Sequence, residues 1–71
     1  MDIKIGDKFA IYGDKKEDTN TFEIVNINDC RPPEMKYAVD VWDAYGNEAP
    51  DVFFLNDQWF ENHKDQLERI G

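Results

Sequence analysis

KYAVDVWDAYGNEAPDVFFL, residues 36–55, reads as a strand, a turn and a second strand. Tyr37, Val39 and Val41 alternate with Ala38, Asp40 and Trp42, the period of two that separates the faces of a strand. One face is apolar and the other mixed. Asp43-Ala44-Tyr45-Gly46 places Asp at the first position of a turn, where its carboxylate can accept a backbone N–H. Gly stands at the fourth, where a positive φ costs little, so a type I turn with a Gly bulge is expected. Pro50 removes a ladder donor, which puts the return strand Val52–Leu55 at an edge or delays its start.

Upstream, Ile3, Ile5, Phe9 and Ile11 share one parity, interrupted at Gly6-Asp7. A first strand over Lys8–Tyr12 is expected, with a short extended lead-in. Residues 13–20, GDKKEDTN, contain no apolar side chain and read as a solvated loop. In the second strand, Thr21 to about Asn28, the alternation breaks. Phe22 and Ile24 share one parity, Val25 and Ile27 the other, and a bulge between them would restore one buried face. Asp29–Met35, with paired prolines, reads as a stiff connector. Downstream, Trp59, Phe60, His63, Leu67 and Ile70 recur at three- and four-residue steps, predicting an amphipathic helix over about 57–70. Asn56 suits its N-cap, Leu55 and Phe60 a hydrophobic staple, and Asp65 and Arg69 a pair one turn apart.

At 71 residues the chain has room for a single domain, residues 1–71, and its ten aromatic residues (five Phe, three Tyr, two Trp) supply much of the core. The reading is mainly β with a helical element (α+β): four to five antiparallel strands and a C-terminal α-helix, which suits a small barrel better than a sandwich. The succession Gly6-Asp7-Lys8-Phe9, Thr21-Phe22-Glu23-Ile24-Val25 and Tyr37-Ala38-Val39-Asp40-Val41 with Gly46, closed by a Phe-containing tail, resembles small SH3-like β-barrel proteins of phages and prophages. Many of those have no assigned function. The resemblance implies an SH3-like barrel and a phage or prophage origin. It transfers no site residues, and the paired-Trp motif of proline-peptide-binding SH3 domains is not present.

Composition narrows the chemistry. The chain has no serine, so serine hydrolases are excluded. Cys30 is the single cysteine, so no intramolecular disulfide can form, and a Cys30–His63 dyad is the sole thiol option. One Cys and one His do not make a zinc site, and Asp40, Asp43, Glu48 and Asp51 lack the spacing of a calcium loop. Gly6, Gly13, Gly46 and Gly71 are scattered rather than gathered in a phosphate loop. The expectation is therefore a protein that is not an enzyme and takes no metal or other cofactor. The longest strictly apolar run, Val52–Leu55, is too short for a membrane span or a signal-peptide core, and Met1 reads as a native start. A cytoplasmic protein is expected.

The formal charge of −8 opposes attraction to nucleic acid and to anionic membranes. Residues 1–36 carry eight acids and six bases, residues 37–71 eight acids and two bases, and no Lys or Arg lies between Lys36 and Lys64. Asp40, Asp43, Glu48 and Asp51, with Trp42 and Tyr45, are therefore the candidate partner-binding residues: aromatic anchors ringed by acids. The competing reading of Trp42 is packing beneath the helix against Trp59 or Phe60. The function expected first is an acidic protein-interaction module binding a basic protein surface, such as that of a nucleic-acid-binding protein. The second is a DNA-mimic inhibitor of a nucleic-acid enzyme, of the anti-restriction or anti-CRISPR kind. The third is an accessory structural protein whose Val52–Leu55 edge pairs with another chain. Oligomeric state is not legible.

Overall fold

In the computed structural model residues 2–15 and 18–71 are described; Met1, and Lys16-Glu17 within the polar loop expected over 13–20, lie outside the described residues. Among the described residues five strands form one open antiparallel sheet: β1 (Lys8–Ile11), β2 (Asn20–Ile27), β3 (Tyr37–Trp42), β4 (Phe53–Leu55) and β5 (Leu67–Arg69). Their order is β4-β3-β2-β1-β5, which leaves β4 and β5 as the edges. A short helix, α1 (Asp57–His63), precedes a 3-10 turn at Lys64–Gln66, and another 3-10 turn covers Pro33–Met35. No helix among the described residues is long and apolar enough to cross a membrane.

The central hairpin forms as its pattern dictates. Tyr37, Ala38 and Val39 pair with Leu55, Phe54 and Phe53, and Trp42 makes an isolated bridge to Glu48. Gly46 N–H donates to Asp43 O at 3.1 Å, and Gly46 takes the positive φ of 85° that closes a type I turn with a glycine bulge. Behind Pro50 the return strand is both late, starting at Phe53, and at an edge. The β2 register shifts between Ile24 and Asn26. Ile24 is buried, Val25 is turned outward, and Ile27 is returned to the core side. At the lead-in, Asp7 N–H bonds Lys4 O across a turn whose Gly6 has φ 95°.

The core is Phe9, Phe22, Ile24, Tyr37, Val39 and Phe60, flanked by half-buried Ile3, Ile11, Ile27, Val41, Leu55, Trp59 and Leu67. Phe60 is the one buried residue of α1, and its ring stands against those of Phe9, Phe22, Tyr37 and Trp59. The Asn56 cap is realised, its side-chain oxygen accepting Trp59 N–H at 2.7 Å.

The helix expected over 57–70 is corrected: it stops at His63, and residues 67–69 are a strand. The competing demand is the free edge of β1. Lys8 N–H bonds Gly71 O, Ile70 N–H bonds Lys8 O, and Tyr12 N–H bonds Gln66 O, at 2.8–3.0 Å. A helix through residue 70 would leave those β1 groups without the partners they have here. Leu67 still reaches the core, now from a strand position opposite Ile11. Ile70, placed by its spacing on the apolar stripe, is half exposed. Arg69 pairs with Asp7 rather than Asp65, and its guanidinium lies over the Phe9 ring, 4.9 Å from the centroid.

Candidate functional site

Because Tyr37, Val39 and Val41 face the core, strand alternation turns Ala38, Asp40 and Trp42 to the opposite, outer face of the sheet. Trp42 is therefore not packed beneath α1; the helix side is filled by Trp59, which packs on Phe22, Phe60 and His63. Register then assembles the outer face in rows. Asp40 stands opposite Glu23, and Glu23 opposite Lys8. In the next row Glu48, Trp42, Thr21, Ala10 and Glu68 follow one another across all the pairings.

Asp40, Trp42 and Glu48 are thus neighbours. Asp43 is not a free carboxylate: its Oδ1 accepts the N–H groups of Tyr45 and Asn47, both at 2.9 Å, and its Oδ2 accepts the Asn47 amide at 3.2 Å. The backbone hydrogen bond from Asn47, with that from Tyr45, holds its pKa below the ordinary carboxylate value. Tyr45 is 78% exposed at the tip of this turn. Asp51 is exposed in the segment between the bridge and β4 and, among the described residues, is in no ion pair within 4.0 Å. Among the described residues the ion pairs within 4.0 Å are Lys4–Asp2, Lys36–Asp57, Lys64–Glu61 and Arg69–Asp7. None of them neutralises Asp40, Asp43, Glu48 or Asp51.

Two acids of this face were not among the candidates. Glu23 was legible, since it has the parity opposite to Phe22 and Ile24. Glu68 was not, because its segment carries a helical period. At that end of the row the Tyr12 hydroxyl donates to Glu68 Oε2, which raises the Tyr12 pKa.

A second polar cluster joins β3 to α1. The hydroxyl of Tyr37 donates to Asp57 Oδ1 at 2.5 Å, and Lys36 Nζ donates to Oδ2 at 3.3 Å. The Tyr37 hydrogen bond, helped by Lys36, holds the Asp57 pKa low, while burial first and the Asp57 contact second push the Tyr37 pKa up. Asp57, Asp43 and Asp7 have lowered folded-state values, so their stabilisation is present above the unfolded carboxylate pKa and lost as pH falls through the folded one. Tyr37 has a raised value, so its contribution is present below 10.0 and lost as pH rises through the folded value. The melting temperature is expected to fall below about pH 4 and again above about pH 10. Asp57→Asn should flatten the acid limb, as thermal melts in circular dichroism will read; an unaltered limb would remove Asp57 from that role.

Cys30 is exposed in the connector. His63 stacks on Trp59 with ring centroids 4.4 Å apart, and its Nδ1 lies 2.8 Å from Trp59 O. Among the described residues no three His, Cys, Asp or Glu side chains are grouped to hold a metal ion. Set against known proteins, the chain matches no family model, no curated protein and no solved structure.

Proposed function

We propose that the chain is a non-enzymatic interaction module whose outer sheet face, Asp40, Trp42 and Glu48 together with Glu23, binds a basic protein surface, with Tyr45 at the turn extending the contact. One observation carries this reading. Glu23 and Asp40, both half-buried, stand directly opposite each other on adjacent strands. Like charges in that relation destabilise a sheet by roughly 0.2–1 kcal/mol. Lys8, opposite Glu23 on β1, offsets part of that repulsion without an ion pair within 4.0 Å, and a cationic partner at Asp40 would turn the remainder into an attraction. The half-buried Trp42 beside it supplies apolar area of the kind found at interface centres. The strand order, with a 3-10 turn just before β5, is what supports an SH3-like reading of this open sheet.

Asp40→Asn is expected to raise the melting temperature by a few degrees by removing the repulsion. Asp40→Asn combined with Glu48→Gln should weaken partner binding at least about tenfold and leave the fold intact. The measurement is capture from a cell lysate by the immobilised chain and by the double variant, at low salt and at about 0.5 M salt, with the retained proteins identified. Basic proteins held at low salt, released by high salt and lost to the variant are the expected result. Equal capture by the variant would reject the outer face as the binding surface.

A further inference from the structure

On the other face of the sheet, a groove of about 260 Å³ opens between α1 and the strands, lined by Ile11, Phe22, Val41, Phe53, Leu55 and Trp59. Its rim strand is β4, an edge of the sheet, and Phe53 at the mouth is 47% exposed. The hydrogen-bonding sense of that edge follows from the hairpin. Ala49 N–H bonds Val41 O, and in an antiparallel ladder bonded pairs recur at every second residue. Val39 and Tyr37 therefore direct their bonding groups at Phe53 and Leu55, and the N–H and C=O of Phe54 face outward from β3. A chain laid along β4 would meet those groups, and its alternate side chains would fall over the groove.

The surroundings specify what such a chain carries. Of the six acids in residues 37–63, Asp57 pairs with Lys36 and Glu61 with Lys64, which leaves Asp40, Asp43, Glu48 and Asp51 towards the hairpin end of β4, while the Arg31 guanidinium lies over Phe54, 5.4 Å from its ring centroid. Asp51, exposed and without a basic partner among the described residues, stands two positions before Phe53. A second copy of this chain, with its own charge of −8, is a poor match for that rim. We infer that the free edge of β4 and the groove beside it take an extended segment of a partner protein in which apolar and basic residues alternate. The apolar side chains enter between Phe53 and Trp59, and the basic ones meet the acids of the hairpin. The inference rests on the reading of the chain as a binder of basic protein surfaces and adds the backbone form and the apolar half of the partner.

The test uses the full chain, isotope-labelled for amide NMR, titrated with a blocked Lys-Val repeat peptide of roughly ten residues. Matched Lys-Ser and Glu-Val repeats are controls. The Lys-Val peptide is expected to shift the amides of Phe53, Phe54 and Leu55 and the Trp59 indole resonance. It should bind at least about tenfold more tightly than either control and lose at least about tenfold on Phe53→Asp. N-methylation of its alternate amides in the edge-facing register should abolish binding. Equal binding of the Lys-Ser peptide, with shifts confined to Asp40, Trp42 and Glu48, would overturn the groove and leave the outer-face reading standing. Equal binding of the Glu-Val peptide would overturn the basic half. Undisturbed β4 amides with every peptide, or a dimer of the chain dissolved by Phe53→Asp, would overturn the inference as a whole.

Discussion

Phe60→Ala is expected to lower stability by about 3–5 kcal/mol, the range for truncating a buried aromatic. Phe60 is 2% exposed and meets four rings, with centroid separations of 5.6 Å to Phe9, 6.0 Å to Phe22, 5.4 Å to Tyr37 and 5.2 Å to Trp59. The loss would be more than a void, because Phe60 is the only buried side chain of a seven-residue helix. A helix that short does not persist on its own propensity and is held by what it packs against. Domains of this size have total stabilities of about 5–15 kcal/mol, and each kcal/mol moves the melting temperature by roughly 4–8 °C. A fall of about 15–30 °C, or a variant unfolded at room temperature, is therefore the expected calorimetric result. A change of a few degrees would mean that the sheet is stable without α1 and that the core is misassigned.

Removal of residues 67–71 is expected to have an effect of similar size by a different route. It deletes Leu67 from the core and, with the β1–β5 pairing, the two backbone hydrogen bonds Lys8–Gly71 and Ile70–Lys8. Arg69 goes with them, and with it the ion pair to Asp7 and the cover over the Phe9 ring. At about 1.5–3 kcal/mol for the leucine and about 0.5–1.5 for each backbone bond, the sum is on the order of 4 kcal/mol. The shortened chain should lose its cooperative urea transition, or show it at a much lower midpoint. A midpoint close to that of the full chain would show that the β1 edge needs no partner.

What could be read from the chain and what could not divide along one physical line. The hairpin of β3 and β4, the Asp43–Gly46 turn and the β2 bulge were all legible, because each is set by side chains within a few positions of one another. The end of the C-terminal helix was not. Trp59, Phe60, His63 and Leu67 satisfy a helical period, and the signal that ends the helix is the open edge of β1, some sixty residues earlier in the chain. The candidate surface divides likewise. Asp40, Trp42 and Glu48 come together through a hairpin whose local pattern is plain, whereas Glu23 and Glu68 join them only through pairings between distant strands. The side on which Trp42 lies is not legible in the sequence, where packing beneath the helix competes with the outer face; the core positions of Val39 and Val41 decide it.

The turn at residues 43–46 has a consequence for any contact made at the hairpin tip. Its backbone is fixed twice by the Asp43 carboxylate, through the N–H groups of Tyr45 and Asn47, and twice by backbone bonds, Gly46 N–H to Asp43 O and Asp43 N–H to Asn47 O. Tyr45 is thereby held out on a segment that is already ordered before anything touches it. A surface that closes on this phenol has only two side-chain torsions left to freeze, where a slack loop would also surrender about 1–2 kcal/mol of backbone freedom per residue. The tip is preorganised, and contact area gained there is opposed by very little entropy.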